Sequence, residues 1–213
     1  MFNTMFNNSI GLHFTVKHTG KMEGMYSLST SCKINENCKK YAKIPGSICS
    51  KCYAQTMLKR YNSLEKNLFE NTHILTNTLI NKNEIPFINA SFFRFEAFGD
   101  LHNEIQFINY MNIAKYNDHC TFAIWTKNPE IMKNAFDMGY KKPKNLIIIG
   151  SSLMINIKSD FSKYNFIDKT FTVYDNNAIQ ENNININCGA RSCINCLKCY
   201  KKNGIEEISE KLK

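Results

Sequence analysis

The sequence contains no long hydrophobic run. Its most apolar segment, Leu146–Ile149, has the length of a strand, whereas a membrane-spanning helix needs about 20 apolar residues. The opening residues, Met1–Ser9, are polar and rich in asparagine, and they lack the basic and then apolar pattern of a secretory signal peptide. We therefore expect no membrane partner and a cytoplasmic location, in a compartment that keeps thiols reduced.

Acidic residues are too few to balance the basic ones. The chain has 27 lysines and arginines against 18 aspartates and glutamates, and its formal net charge is +9. A positive surface makes nucleic acid or an anionic cofactor a possible partner. The local basic runs are also typical of solvated loops in a sequence rich in asparagine and lysine, which is the interpretation we favour. They are Lys39, Lys40 and Lys43, and Lys141, Lys142 and Lys144.

Histidines with a metal-binding spacing are absent, whereas cysteines are plentiful. Eight of the nine cysteines fall into two clusters. The first cysteine group is Cys32, Cys38, Cys49 and Cys52, and the second cysteine group is Cys188, Cys193, Cys196 and Cys199.

Each group contains a CxxC or CxxCxxC run, the spacing that lets one loop wrap a tetrahedral metal or an iron–sulfur cluster. A chain of 213 residues buries enough core to fold without disulfides, and clustered thiols in a reducing compartment bind metal more often than they pair. The sequence therefore predicts two metal or cluster sites. The remaining cysteine, Cys120, stands in an apolar run and is expected to be a buried thiol.

Strands alternate with helices along the chain. Apolar spacing predicts strands over 25–31, 92–98, 120–125, 145–149 and 170–174, and helices over 53–82 (with a break near Asn71), 101–116 and 129–138. Such repeats form parallel sheets with right-handed crossovers. We expect an α/β fold with a partial (β/α) barrel of mainly parallel strands in residues 1–178. A cysteine-rich, cluster-binding segment in residues 179–213 would pack on it.

Polar or glycine-containing groups follow the ends of successive predicted strands. In parallel α/β folds the carboxyl ends of the strands hold the active site, so these residues are candidates for one shared site. They are Ser31-Cys32, Gly99-Asp100, Thr126-Lys127, Ser151-Ser152 and Asp175. Arg94 and Glu96 would share a face of the strand before Asp100. They could anchor a substrate carboxylate or form a structural ion pair, and we favour the ion pair.

Several segments resemble the phage and plasmid "gene product 88" family. They are SLSTSCKINENC (27–38), CSKCYAQTMLKRY (49–61), RFEAFGD (94–100), WTKN (125–128) and the C-terminal CxxCxxCY. The resemblance covers about residues 20–201. It implies a phage or plasmid origin with a place in the host cytoplasm. The family is itself similar in layout to radical S-adenosylmethionine (SAM) enzymes.

The radical SAM layout implies specific roles for these residues. Cys38, Cys49 and Cys52 would hold a [4Fe–4S] cluster whose open iron binds SAM, and reductive cleavage of SAM would then start radical chemistry on an unknown substrate. Cys32 is an additional thiol that would close the site if it were a ligand. Gly99-Asp100 would receive the SAM amino group, and Ser151 or Ser152 would lie near the ribose or carboxylate. Thr126 and Lys127 complete the cofactor-binding candidates.

The second cysteine group would hold a second [4Fe–4S] cluster that transfers electrons, binds substrate or fastens the C-terminal segment. Two alternatives remain open. The chain is also consistent with a nucleic-acid-binding protein that has two four-cysteine zinc sites. The third possibility is a non-catalytic iron–sulfur protein that carries electrons or senses oxidants. The reductant, the substrate and the oligomeric state are not indicated by any residue pattern.

Overall fold

The computed structural model describes residues 6–202, 204 and 206–212. In this part of the chain there are nine strands and seven α-helices. The strands are β1 (Phe6–Asn7), β2 (Phe14–Thr15), β3 (Tyr26–Leu28), β4 (Phe87–Ile88), β5 (Phe92–Phe95), β6 (Thr121–Thr126), β7 (Leu146–Ser151), β8 (Lys169–Tyr174) and β9 (Glu207–Lys211). The helices are α1 (Glu36–Ala42), α2 (Tyr53–Arg60), α3 (Asn62–Asn77), α4 (Glu104–Tyr116), α5 (Pro129–Asp137), α6 (Asn176–Glu181) and α7 (Cys193–Cys196).

Seven of these strands form one mostly parallel sheet in the order β2-β3-β5-β6-β7-β8-β9. Every neighbouring pair from β3 to β9 is parallel, and β2 joins β3 in the antiparallel direction at one edge. A separate pair is formed by β1 and β4. The expected α/β class with mainly parallel strands is therefore confirmed.

The two faces of the sheet bury different sets of side chains, because successive residues of a strand point to opposite faces. On β6, Phe122 and Ile124 join the core formed with the helices. Ala123 and Trp125 point to the opposite face, where they pack with the C-terminal segment around Tyr200. The C-terminal segment thus covers part of the face that the helices leave free.

The C-terminal segment also supplies β9, which sequence reasoning did not predict. Glu207–Lys211 (EISEK) is mostly charged, and it carries too few apolar residues to indicate a strand. Pairing with β8 decides its conformation, and Ile208 and Ser209 are buried. The helix predicted over 53–82 also differs, since its break lies at Tyr61, between α2 and α3, and Asn71 stays helical. None of the helices in the described residues is long and apolar enough to cross a membrane.

Candidate functional site

The carboxyl ends of the parallel strands open into a cavity of about 1080 Å³. Both cysteine groups contribute to its wall, together with strand-end residues that the sequence singled out. Those cavity-lining residues are Cys32, Cys38, Cys49, Cys52, Cys188, Cys193, Cys196, Cys199, Gly99, Asp100, Lys127 and Ser151. Residues that are 150 positions apart in sequence therefore meet around one space.

The loop that carries the first cysteine group is attached to three strand ends. The Asn35 side chain donates to the Asp100 and Leu101 carbonyl oxygens, in the loop that follows β5, at 2.9 and 3.0 Å. The Tyr41 hydroxyl donates to Asn128 Oδ1 after β6 at 2.8 Å. Beyond β7, the Ile48 N–H donates to the Leu153 carbonyl at 2.9 Å. These bonds hold the loop across the carboxyl-end rim of the sheet.

Cys32 and Cys52 pack in the same apolar cluster beside the cavity. Interaction with Cys32 and the backbone N–H groups at the start of α2 together lower the pKa of Cys52 to about 6. Interaction with Cys52 and burial raise the pKa of Cys32. Of the two thiols, Cys52 is therefore the more easily deprotonated.

Cys38 and Cys49 lie beside this pair. Burial raises the pKa of the Cys38 thiol, and the negative charge of Asp100 adds to the effect. Burial also raises the pKa of Cys49, while the Lys127 ammonium opposes it. Both groups are therefore protonated at neutral pH, and a metal that binds here has to displace those protons.

Asp100 joins the ends of β5 and β6. Its Oδ1 accepts from the Thr126 hydroxyl at 2.7 Å and from the Leu101 N–H at 2.8 Å. Its Oδ2 accepts from the Lys127 N–H at 2.9 Å. A carboxylate offers about four lone-pair positions, so these three bonds leave Oδ2 with room for a further donor.

Gly99 is required because the backbone passes very close to a buried carboxylate. A Cβ at this position would lie 2.5 Å from Glu96 Oε2 and 2.7 Å from the Thr30 carbonyl oxygen. Glu96 has a positive φ of 53° and is held by donors from Thr30, Gln106 and Tyr110. Burial raises its pKa to about 8.

The two serines after β7 differ in their surroundings. Ser151 is buried in the wall of the cavity. The Ser152 hydroxyl forms a 2.8 Å hydrogen bond with the Thr172 hydroxyl and accepts from the Ser159 N–H at 2.9 Å. Thr126, which is fully buried, donates to Asp100 as described above. The Ser152 and Thr126 hydroxyls therefore form hydrogen bonds within the protein near the strand ends, whereas Ser151 lines the cavity.

The second cysteine group is tied to the N-terminal part of the chain by Lys21. Its ammonium donates to the Cys188 carbonyl at 2.9 Å and to Glu210 Oε1 at 2.7 Å, and it lies 3.7 Å from Cys188 Sγ. Burial raises the pKa of Cys188, and the Lys21 charge opposes it. Nothing in the sequence indicated Lys21 as a neighbour of these thiols.

The other thiols of this group pack against the sheet. Cys193 and Cys199 contact the apolar cluster that contains Tyr200 and Ile149. Burial raises the pKa of Cys199 to about 12, and the negative charges of Cys188, Cys193 and Cys196 contribute. All four thiols of the second cysteine group line the cavity.

Arg94 is not paired with Glu96, so the expected ion pair is wrong. The positive φ of Glu96 ends the strand alternation and turns that carboxylate toward Thr30 and Tyr110. Arg94 instead stacks on Trp125, with the guanidinium carbon 4.1 Å from the ring centre. The sequence identified Arg94 and Glu96 as candidates, but it did not predict the turn at Glu96. Because of this turn the two side chains do not meet, and Arg94 stacks on Trp125 instead.

Cys120 is a fully buried thiol, as the sequence predicts. Burial raises its pKa to about 12, and it belongs to the core on the helix side of the sheet. In the described residues, no group of three or more His, Cys, Asp or Glu side chains already has the arrangement of a metal site. The thiols of both groups nevertheless line one cavity.

Comparison with known proteins gives one match. No curated protein and no solved structure matches the chain. The family model described as "Gene product 88" matches residues 6–211, which covers both cysteine groups and all the strand ends around the cavity. The chain therefore belongs to the Gene product 88 family.

Proposed function

We propose that this protein is a radical SAM-like iron–sulfur enzyme that cleaves SAM reductively at the first cysteine group. The observation that carries the proposal is the position of the first cysteine group. Its loop follows the first parallel strand and lies across the carboxyl ends of the next three strands, above a cavity of about 1080 Å³.

The order of the strands supports a partial (β/α) barrel. The six parallel strands are neighbours in the same order in which they occur along the chain. A doubly wound sheet reverses direction at a switch point, whereas successive units of a (β/α) barrel add each strand beside the last. The sequential order fits the second arrangement, with β2 and β9 as edge strands.

The donor set fits an iron–sulfur cluster in its chemistry and location. Cys38, Cys49 and Cys52 would hold the first cluster, because three thiolates leave one iron open for a ligand. The carboxylate of Asp100 and the hydroxyl of Ser151 lie on the same wall and would contact the amino and ribose or carboxylate groups of SAM. A bound cluster supplies the electron that reductive cleavage of SAM requires.

Lys127 provides positive charge beside the proposed cluster. Its ammonium influences Cys49, Cys52 and Asp100, and its backbone N–H is fixed by the Asp100 carboxylate. A cation here favours the thiolate form of Cys49 and Cys52 over the thiol. Asp100 therefore acts as a positioning residue for Lys127 in addition to its proposed contact with SAM.

The second cysteine group would hold a second [4Fe–4S] cluster in the C-terminal segment. Its four thiols line the same cavity, Cys193 and Cys199 pack against the sheet, and the Lys21 ammonium lies 3.7 Å from Cys188 Sγ. Because both groups border the same cavity, this cluster would be placed to exchange electrons with the first or to contact a substrate. An external reductant remains necessary for turnover.

The test is an anaerobic purification followed by iron, zinc and sulfide analysis, EPR and a SAM cleavage assay. With dithionite as the reductant, we expect iron and sulfide at both groups, an EPR signal that changes when SAM is added, and formation of 5′-deoxyadenosine and methionine. The variants C38A, C49A and C52A should lose cleavage, and C120A, which removes a thiol from the core, should keep it. A brown protein that leaves SAM intact and an EPR signal unaffected by SAM would overturn the proposal.

A second candidate is a non-catalytic iron–sulfur protein, and the contact between Cys32 and Cys52 favours it. If Cys32 is a ligand, the first site has four thiolates and no open iron. The C32A variant separates the two functions. Retained iron and retained SAM cleavage in C32A support the enzyme, whereas loss of the first cluster in C32A supports the closed site. Zinc in place of iron, with salt-dependent binding to DNA, would instead support a nucleic-acid-binding protein.

A further inference from the structure

We infer that Arg94 forms an anion-binding position in the cavity, which takes the carboxylate or phosphate group of the substrate. As an assignment of substrate class, the inference rests on the proposed function. As an assignment of an anion site, it stands on the geometry of Arg94 alone.

Arg94 lies in the middle of β5 on the face that lines the cavity. One side of its guanidinium is covered by the ring of Trp125 at 4.1 Å. Its Nη1 makes a weak contact with Met22 Sδ at 3.5 Å, and its Nε is buried and has no hydrogen-bond partner in the part of the chain that the structure describes. No described carboxylate forms a salt bridge with Arg94, although a partly buried guanidinium normally requires an acceptor.

The carboxylates of the cavity wall are already engaged elsewhere. Glu96 accepts from Thr30, Gln106 and Tyr110. Asp100 accepts from the Thr126 hydroxyl and the Lys127 N–H at the end of β6, and Glu210 accepts from Lys21 at 2.7 Å. The positive charge of Arg94 is therefore left for a group that is not part of the protein wall.

Arg94 lies on the part of the cavity wall that carries the second cysteine group. It stacks on Trp125 and contacts Met22 Sδ, and both of these side chains pack in the apolar cluster that includes Cys193 and Cys199. An anion at Arg94 would therefore lie close to the second cysteine group.

The planar fork of a guanidinium suits carboxylate and phosphate oxygens, because it can donate two parallel hydrogen bonds to either. Stacking on Trp125 fixes the plane of the fork before a ligand arrives. The chain around Arg94 thus favours a small anionic substrate over a neutral one. The cavity, at about 1080 Å³, is slightly larger than the upper limit of about 1,000 Å³ that is usual for small-molecule sites.

Trp125 makes the inference directly measurable, because it is the sole tryptophan of the chain. The experiment titrates the anaerobically purified full-length protein with inorganic phosphate, pyrophosphate and acetate at constant ionic strength, with sodium chloride as the balancing salt. Trp125 fluorescence, excited selectively over tyrosine, is the readout, and calorimetry repeats the titration. We expect a saturable response to phosphates or to acetate, and the comparison identifies which oxyanion the site takes.

The R94Q variant should weaken the saturable binding by about tenfold or more, the loss expected for one charge-assisted hydrogen-bonded contact. The R94K variant retains the charge and should bind with intermediate affinity. The control is K17Q, which removes an exposed positive charge from the same cavity wall and should leave the affinity unchanged.

Three results would overturn the inference. No saturable response beyond that of chloride would remove the site. Loss of iron from R94Q without any anion response would make Arg94 a counter-ion for the second cysteine group. Weaker binding of SAM itself to R94Q would assign the anion to the cofactor. Anion binding without SAM cleavage would leave the site intact and remove only the proposed function, so the two can fail separately.

Discussion

The Asp100 carboxylate accepts the backbone N–H of Lys127 at 2.9 Å. This bond connects the loop after β5 to the loop after β6, and the Thr126 hydroxyl strengthens the connection at 2.7 Å. It places a buried carboxylate and a cation on the cavity wall beside the first cysteine group. The proposed chemistry depends on this arrangement of the rim.

Replacing Asp100 with asparagine should destabilise the rim. The amide offers only one acceptor oxygen, so its NH₂ group would face either the Lys127 N–H or the two donors on the Oδ1 side. We expect a loss of about 1–3 kcal/mol in the free energy of unfolding, measured by urea denaturation. The control is D137N, at an exposed ion pair with Lys133, which should change stability by less than about 0.5 kcal/mol. Equal effects of the two substitutions would contradict the structural role of Asp100.

Replacing Gly99 with alanine should also destabilise the folded protein. The new Cβ would come within 2.5 Å of Glu96 Oε2 and 2.7 Å of the Thr30 carbonyl, so the backbone or the buried carboxylate has to move. We expect a destabilisation of about 1–3 kcal/mol by thermal or urea unfolding. The matched variant G189A meets no atom within 4 Å and should be close to neutral. If G99A were as stable as G189A, Gly99 would have to lie further from Glu96 and Thr30 than the structure places it.

Glu96 should make stability depend on pH. Its pKa is raised by burial from 4.5 to about 8, so between these values the folded state holds a proton that the unfolded state has lost. The free energy of unfolding should therefore fall as pH rises through this window, by up to about 1.4 kcal/mol per pH unit from this group. Urea denaturation of wild type and E96Q at several pH values measures the difference. The slope should be smaller in E96Q, and identical slopes would rule out a shifted Glu96.

The second cysteine group should support the fold as well as bind a cofactor. Cys199 packs against the sheet with Tyr200, and Lys21 connects the group to the N-terminal part of the chain. Since the binding energy of a structural metal contributes to folding, C199A should lose metal from one of the two sites and should unfold at a lower temperature. Metal and sulfide analysis with calorimetry checks this. The control C120A should keep its full metal content, and an undiminished content in C199A would show that Cys199 is not a ligand.

The sequence predicted five strands (β3, β5, β6, β7 and β8) and the four longest helices (α2, α3, α4 and α5), because their apolar patterns are strong. The apolar runs in β6 and β7 are such cases. The sequence did not predict the two-residue strands β1, β2 and β4 or the short helices α1, α6 and α7. It failed at β9, where charged residues hide a strand that exists only because β8 offers an unpaired edge. It also failed at Arg94 and Glu96, because strand alternation was extended past the residue where a positive φ interrupts it.

The sequence by itself determined the α/β class, the two cysteine groups and the polar residues at the strand ends, since each is encoded in local spacing. Only the tertiary structure decided that both cysteine groups border one cavity, that Cys32 contacts Cys52, and that Arg94 stacks on Trp125 without a carboxylate partner. These relationships join residues far apart in the chain. They arise from the pairing of strands and the packing of the C-terminal segment, which no local pattern of residues specifies.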